Sequence, residues 1–515
     1  MTPLPRMVFR TIPAFVIATA AVAPHISYAQ DAAATLDNAA HLLARAFNDA
    51  KDSPIASSRD AGLIISALRS SRDKGLLPLF AKLRQSSVPE NQLYAMIAQL
   101  IITKDPKMLD LNQLLSQHDP QLIASAVAAL IETEVVTNDQ LEQILKTATD
   151  PTLKAMAVGE LDYRKALKNR DQIRELLRSD KEVVRFYAAT ILLEGDDPAD
   201  NAAALKTLHE MSDTHNLRQA AVEAMMLVRI QKESIKNAGP WVAEIASDEE
   251  NDEGLRYTAV TTLLAIKHPD GPRILATMIQ KQRGTIEQVK LGLISMEFGP
   301  QLKPGMLEPI AQSNSSLVST IGNLAQQAAS GTDITDGLVK LIGQGHPIVL
   351  DWALAYSDRA EADRRLKLLQ AVINESTIVD DARGRDYERA VLAAEKLVTS
   401  AGKDGRALAG VLLKSDNRAI VESVLAGIYR SVSDQQSDLV VPVWERLRTT
   451  KGWEMAANYA ALIMAREGHT EVSNWLSRMV LGATIQNPGF RGLAGWYYAK
   501  LQGKAPELIE RVVSG

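Results

Sequence analysis

The sequence predicts an all-α fold, a right-handed α-α superhelix of about fourteen stacked helical hairpins forming an α-solenoid, and three observations carry that expectation. First, an apolar anchor recurs at Leu63, Leu93, Leu122, Leu153, Val184, Leu217, Leu255, Ile286, Leu317, Val349, Tyr387, Ile420, Met455 and Phe490, with steps of 29 to 38 residues. Units of that length cannot bury their own apolar faces and must stack on their neighbours. Second, each anchor follows an apolar triad at i, i+3, i+4, as in Leu76/Leu79/Phe80, Leu111/Leu114/Leu115, Leu141/Ile144/Leu145, Ile173/Leu176/Leu177, Leu275/Met278/Ile279 and Leu338/Leu341/Ile342. That spacing marks one face of a second helix. Third, breakers stand between the helices, at His118-Asp119-Pro120, Thr149-Asp150-Pro151 and His346-Pro347.

The clearest copy is residues 180–195, DKEVVRFYAATILLEG. Val184, Ala188, Ile191 and Leu192 fall at i, i+4, i+7 and i+8, on one helical face. Asp180 is the expected N-cap and Gly195 the expected stop. The same register fits LIASAVAAL from Leu122, LKAMAVGEL from Leu153, LRQAAVEAM from Leu217, LRYTAVTTL from Leu255, YERAVLAAE from Tyr387 and IVESVLAGI from Ile420. An apolar anchor is followed by small residues in each.

Asp150-Pro151 with Leu153-Lys154-Ala155, Asp180 with Val184-Arg185 and Ala188-Ala189, and Asp213 with Leu217-Arg218 and Ala220-Ala221 give the chain its family likeness. On these residues it resembles the HEAT-repeat family, including the HEAT-like repeats named after phycobilisome lyases, over residues 35–440. From Ile286 to Val349 the basic position is held instead by Glu287, Val318 and Leu350. The resemblance implies a fold much more than a function.

Arg6 and Arg10 precede an apolar run over residues 12–23, followed by Ser27 and Ala29 in small-residue positions. This is the pattern of a secretory signal peptide cut after Ala29, and the run is short for a membrane span. Cleavage leaves 486 residues and moves the net charge from -5 to -7. The expected organisation is a signal peptide over 1–29, repeats over 30–440, and an aromatic-rich set of C-terminal helical repeats, or cap, over 441–515. No later run is apolar and long enough to cross a bilayer. The chain has no cysteine, so lipid attachment at an N-terminal cysteine, disulfides, thiolate metal sites and covalent c-type haem are excluded. The periplasm, or release from the cell, is the expected location.

Hydrophobic residues make up 46% of the chain but aromatic ones only 5%. The core is therefore expected to be Ala, Leu, Ile and Val, whose small members let helices approach closely. Fourteen units at about 10 Å each give a path of about 130 Å, whose concave face would hold protein partners. Net acidity and few aromatics argue against nucleic acid.

Lys154, Arg185, Arg218 and Arg256 occupy one position in four consecutive repeats, each four or five residues after an aspartate, Asp150, Asp180, Asp213 or Asp252. They are a candidate partner-binding stripe, with a structural ladder of paired charges as the preferred reading. His209-Glu210 with His215 departs from HExxH spacing, and Asp248, Glu249, Glu250, Asp252 and Glu253 lack the glycine and final carboxylate of a calcium loop. Gly402-Lys403-Asp404-Gly405 lacks a phosphate loop's flanks, and neither GxSxG nor a strand-borne GxGxxG occurs. No metal site, cofactor or catalytic residue is expected. Trp444, Trp453, Trp475 and Trp496 crowd the last 72 residues with Tyr459, Phe490, Tyr497 and Tyr498. Residues 453–481 are similar to a tetratricopeptide-type hairpin. Aromatics at helical spacing are expected to be core, in a terminal cap; the sharper alternative makes Trp453, Tyr459, Trp475, Trp496 and Tyr497 candidate contacts for a peptide or peptidoglycan.

The preferred function is a non-catalytic exported scaffold or adaptor for protein partners. A peptidoglycan enzyme is the second reading, because soluble lytic transglycosylases also carry helical superhelices. Their Glu-Ser pair and Gly-Leu-Met-Gln motif have no counterpart, since Glu233-Ser234, Glu375-Ser376 and Glu422-Ser423 sit in ordinary repeats. A lyase-like accessory factor is the third.

Overall fold

A computed structural model describes residues 32–110, 114, 136–148, 151–168, 170–195, 197–212, 222, 235–377, 384–431 and 435–514. Among them are 26 α-helices and no strand. The anchors Leu122 and Leu217, the Asp119-Pro120 turn, Asp150 and Asp213 lie outside the described residues, as does all of 1–29.

Among the described residues, the triads fall on the buried stripe of one helix of the hairpin, although Leu177 is only half-buried. Leu76, Leu79 and Phe80 are wholly buried, as are Leu338, Leu341 and Ile342 to within 1%. The helix Glu182–Glu194 shows how the anchor register plays out. Val184, Ala188 and Leu192 are buried as expected, but the stripe widens to Ala189 and Leu193, and Ile191 is only half-buried. Such a face touches both its hairpin partner and the next repeat, so it is broader than one seam. Two local expectations are corrected. Lys181, not Asp180, is the N-cap, with Ser179 Oγ accepting its N–H at 3.2 Å. Gly195 does end the helix, but with φ of -78°. Its lack of a side chain matters because a Cβ there would lie 2.3 Å from the Arg170 guanidinium, which donates to the Ile191 carbonyl. The anchor at Ile286 also fails: it is 51% exposed and Val289 is buried in its place.

The helices form two layers. Along one layer, Arg385–Thr399, Arg418–Ser431, Glu454–Arg466 and Pro488–Leu501 pack side by side in that order. The next neighbour in this row is not a C-terminal helix but Arg59–Ser70, the second helix among the described residues. The first helix, Ala32–Asp52, packs against Ser473–Val480, Pro488–Leu501 and Ala505–Ser514. The last of these also packs on the third helix, Leu77–Leu83. The superhelical path therefore returns on itself, and its two ends interlock.

Glycines make the close approach feasible. Gly489, Gly492 and Gly495 lie on one face of Pro488–Leu501, and a Cβ on them would sit 2.9 Å from the Leu63 carbonyl oxygen, 2.9 Å from Ile64 Cγ2 and 2.8 Å from Ala39 Cβ. Polar contacts pin the register. Thr35 Oγ1 and Ser477 Oγ are 2.7 Å apart and buried. Lys82 Nζ donates to the carbonyls of Val512 and Val513 at 2.6 and 3.1 Å, placing a cation at the C-terminal end of the last helix. Arg511 pairs with Asp37 at 2.5 Å. Asp73 accepts from Lys500 Nζ at 2.7 Å, Trp496 Nε1 at 3.1 Å and the Gly75 N–H at 3.0 Å.

Burial alone would raise the Asp73 pKa, but the Lys500, Gly75 and Trp496 hydrogen bonds outweigh it and hold the carboxyl below its ordinary 3.8. A depressed carboxylate pKa stabilises the fold at pH values above the unfolded value, and that contribution is lost as pH falls through the folded one. Asp73→Asn is accordingly expected to cost about 1–2 kcal/mol at pH 7. In urea melts the gap between wild type and variant should narrow below pH 3.8; a gap unchanged down to pH 2 would remove Asp73 from the seam's energetics.

Candidate functional site

The row of helices that ends at the seam carries an aromatic column. Tyr387 lies on Arg385–Thr399, Tyr429 on Arg418–Ser431, Tyr459 on Glu454–Arg466, and Phe490 and Tyr497 on Pro488–Leu501. Tyr429 and Tyr459 are 5.7 Å apart between centroids, and Phe490 meets Tyr459 edge-on at 5.3 Å and stacks on Tyr429 at 6.3 Å. The Tyr387 and Tyr459 hydroxyls lie near enough to influence each other's ionisation. Burial pushes the hydroxyl pKa values of Tyr387, Tyr429, Tyr459 and Tyr497 upward, because an ionised phenolate there would be poorly solvated. They stay neutral and act as hydrogen-bonding groups, not as bases. Charges border the column: Arg430 forms a two-pronged pair with Glu388 at 2.8 and 3.0 Å, and Arg418 lies 3.8 Å from Glu422.

At the N-terminal ends of two of these helices is an open slot of about 380 Å³, lined by Asp416, Asn417, Arg418, Lys451, Gly452 and Trp453. The local sequence builds it directly. Asn417 Oδ1 accepts the Ala419 N–H at 2.9 Å, starting one helix, and its amide donates to the Thr377 carbonyl at 3.2 Å. Gly452 turns the chain into the other with φ of 85°, a conformation costly for any residue with a Cβ. Arg418 Nη1 ties the two sides by donating to the Gly452 carbonyl at 3.2 Å. Trp453 is half-buried, with the Arg446 guanidinium 4.9 Å from its ring centroid. A flat aromatic face, two cations and the Asp416 carboxylate surround the opening. Such a lining suits a polar peptide segment better than an apolar ligand.

Of the five C-terminal aromatics singled out from sequence, Trp453 borders this slot. For the others the candidate contact role is corrected: Tyr459, Trp475, Trp496 and Tyr497 are 9% exposed or less, so they take the core role expected of helically spaced aromatics and present no surface to a partner. Trp475 meets Trp444 edge-on at 5.9 Å and donates to Asn458 Oδ1 at 2.9 Å; Trp496 reaches Asp73 across the seam. Sequence reasoning passed over Asn417, Arg418 and Lys451. Nothing in their spacing signals a site, because the two turns that carry them are 34 residues apart and meet only through stacking.

The basic ladder is dispersed. Arg185 reaches the Ser179 carbonyl at 3.5 Å, in the turn just before its own helix, and Arg256 the Ala246 carbonyl at 3.3 Å, in the last turn of the preceding helix Ile235–Ser247. Lys154 is half-buried, and Arg218 lies outside the described residues. Asp252 caps its helix by accepting from Gly254 N–H at 2.8 Å. The charges thus hold turns, through backbone groups more than through Asp-Arg pairs. His209 and Glu210 are exposed, and His215 is outside the described residues. In the acidic run, Glu249 pairs with Lys281 and Asp248 accepts the Glu250 N–H. No group of three His, Cys, Asp or Glu arranged to hold a metal occurs among the described residues. Nor is any helix among them long and apolar enough to cross a membrane.

These features define an all-α helical-repeat solenoid, with its ends docked on each other and a mixed aromatic and charged slot beside the aromatic column. No family model matches the chain. Comparison with curated proteins also gives no match. Among solved structures, the crystal structure of a Kap121p mutant is similar at 13% identity and a TM-score of 0.31, over 91% of this chain and 54% of that one. The chain thus spans about half the length of that protein.

Proposed function

We propose that this protein is a non-catalytic scaffold that is exported by its N-terminal segment and holds a protein partner in the cell envelope. A helical-repeat array is a fold suited to protein interaction. The observation that carries the reading further is the slot lined by Arg418, Lys451 and the half-buried indole of Trp453. Indole and guanidinium groups are the side chains that most often dominate binding energy at protein interfaces. The partner segment is accordingly a peptide carrying carboxylates and an apolar side chain.

Residues 30–515, used as bait in a native envelope extract with quantitative mass spectrometry, should retain a small, reproducible set of proteins. Trp453→Ala combined with Lys451→Glu should lower their recovery about tenfold, the loss of one anchoring contact. Recovery of peptidoglycan fragments alone would replace this reading with a glycan-binding one. Equal recovery by wild type and double variant would remove the slot. Fractionation of cells expressing the full chain, with sequencing of the mature N-terminus, tests export; an uncut cytoplasmic product would overturn it.

A further inference from the structure

The seam joins the parts of the chain that are furthest apart in sequence. Thr35 and Ser477, in buried contact, are separated by 442 positions. On the N-terminal side the first helix commits Ala39, Leu43 and Phe47 to the interior, and the second commits Ile64, Ile65 and Leu68. On the C-terminal side Leu493, Trp496 and Tyr497 are equally buried. The two sides pack on each other, Ala32–Asp52 and Arg59–Ser70 both lying against Pro488–Leu501. A repeat array usually lets folding start anywhere and spread between neighbours, but a terminal unit without a neighbour has an uncovered apolar face. Short helices in that position are marginal in water. Contacts at such long separation also form slowly, since the loop must close before they contribute.

We propose that residues 32–83 and 473–514 are one late-folding unit: the N-terminal helices stay open until the three C-terminal helices dock, and the seam is the last part of the array to form. The consequence is that residues 32–83 cannot complete their fold before residues 473–514 have been made. That suits a protein crossing a membrane unfolded, although the inference rests on the seam alone and stands whether or not the chain is exported.

Pulse-labelled hydrogen exchange during refolding of residues 30–515 tests the order. Peptides within 32–70 and 488–501 should gain protection with one shared time constant, at least tenfold slower than peptides within 316–376. The chain has no cysteine, so a Thr35→Cys/Ser477→Cys pair, placed where the two oxygens are 2.7 Å apart, gives a clean cross-link. Oxidised, it should speed the slow phase at least tenfold over its reduced form and leave 316–376 unchanged. Protection of 32–70 as early as 316–376 overturns the proposal, and so does an identical slow phase in the two redox forms. Should the pair fail to oxidise, the wild-type labelling order decides the question.

Discussion

In a Gly495→Leu variant the two ends of the array separate, seen as a larger radius of gyration in X-ray scattering and lost amide protection over 32–70 and 473–514. Local propensity argues the other way, because leucine in a helix interior is favoured over glycine by about 0.8–1 kcal/mol. Packing outweighs it. The new Cβ alone would stand 2.8 Å from Ala39 Cβ and 3.4 Å from Ala39 Cα, atoms that cannot rotate aside. Overpacking of this kind costs about 1–3 kcal/mol or more, and the rest of leucine has no room on a face that already meets the first helix. Gly410→Ala is the matched control: a Cβ there finds only Leu439 Cδ2 at an ordinary 3.7 Å. That substitution should stabilise by about 0.5–1 kcal/mol. If Gly495→Leu leaves both scattering and protection unchanged, the ends do not dock in solution.

Trp496→Ala should be among the most destabilising single substitutions, at about 3–5 kcal/mol in urea melts. The side chain is 1% exposed, and its removal leaves a cavity at the seam and takes one donor from Asp73. Trp453→Ala should differ in kind. Its ring is half-buried and stacked by Arg446, so stability should fall by about 1 kcal/mol while capture of the partner falls more. The pair separates a core tryptophan from a surface one by measurement. A Trp496→Ala chain with wild-type stability and no partner capture would reverse the assignment and restore the buried aromatics as a recognition surface.

The C-terminal tryptophans show where sequence reading stops. Their helical spacing is legible, but whether an aromatic faces a partner or the interior depends on which helix lies against it. For Trp496 the neighbouring helix is Arg59–Ser70, and Asp73, 423 positions away, stands in the turn that follows it. The glycines at 489, 492 and 495 read locally as weak helix formers, and only the close approach of the first two helices gives them a role. The ladder of Arg185 and Arg256 was legible as a repeat position, yet its partners are backbone carbonyls, which carry no sequence signal.

The sequence by itself determined the helical class, the hairpin unit and its period, since these follow from apolar spacing and breakers acting over tens of residues. The tertiary structure alone decided that the array closes, which aromatics are core, and that Arg418, Lys451 and Trp453 share one slot. Those outcomes depend on small rotations between successive repeats that accumulate along the path, and no single repeat encodes their sum.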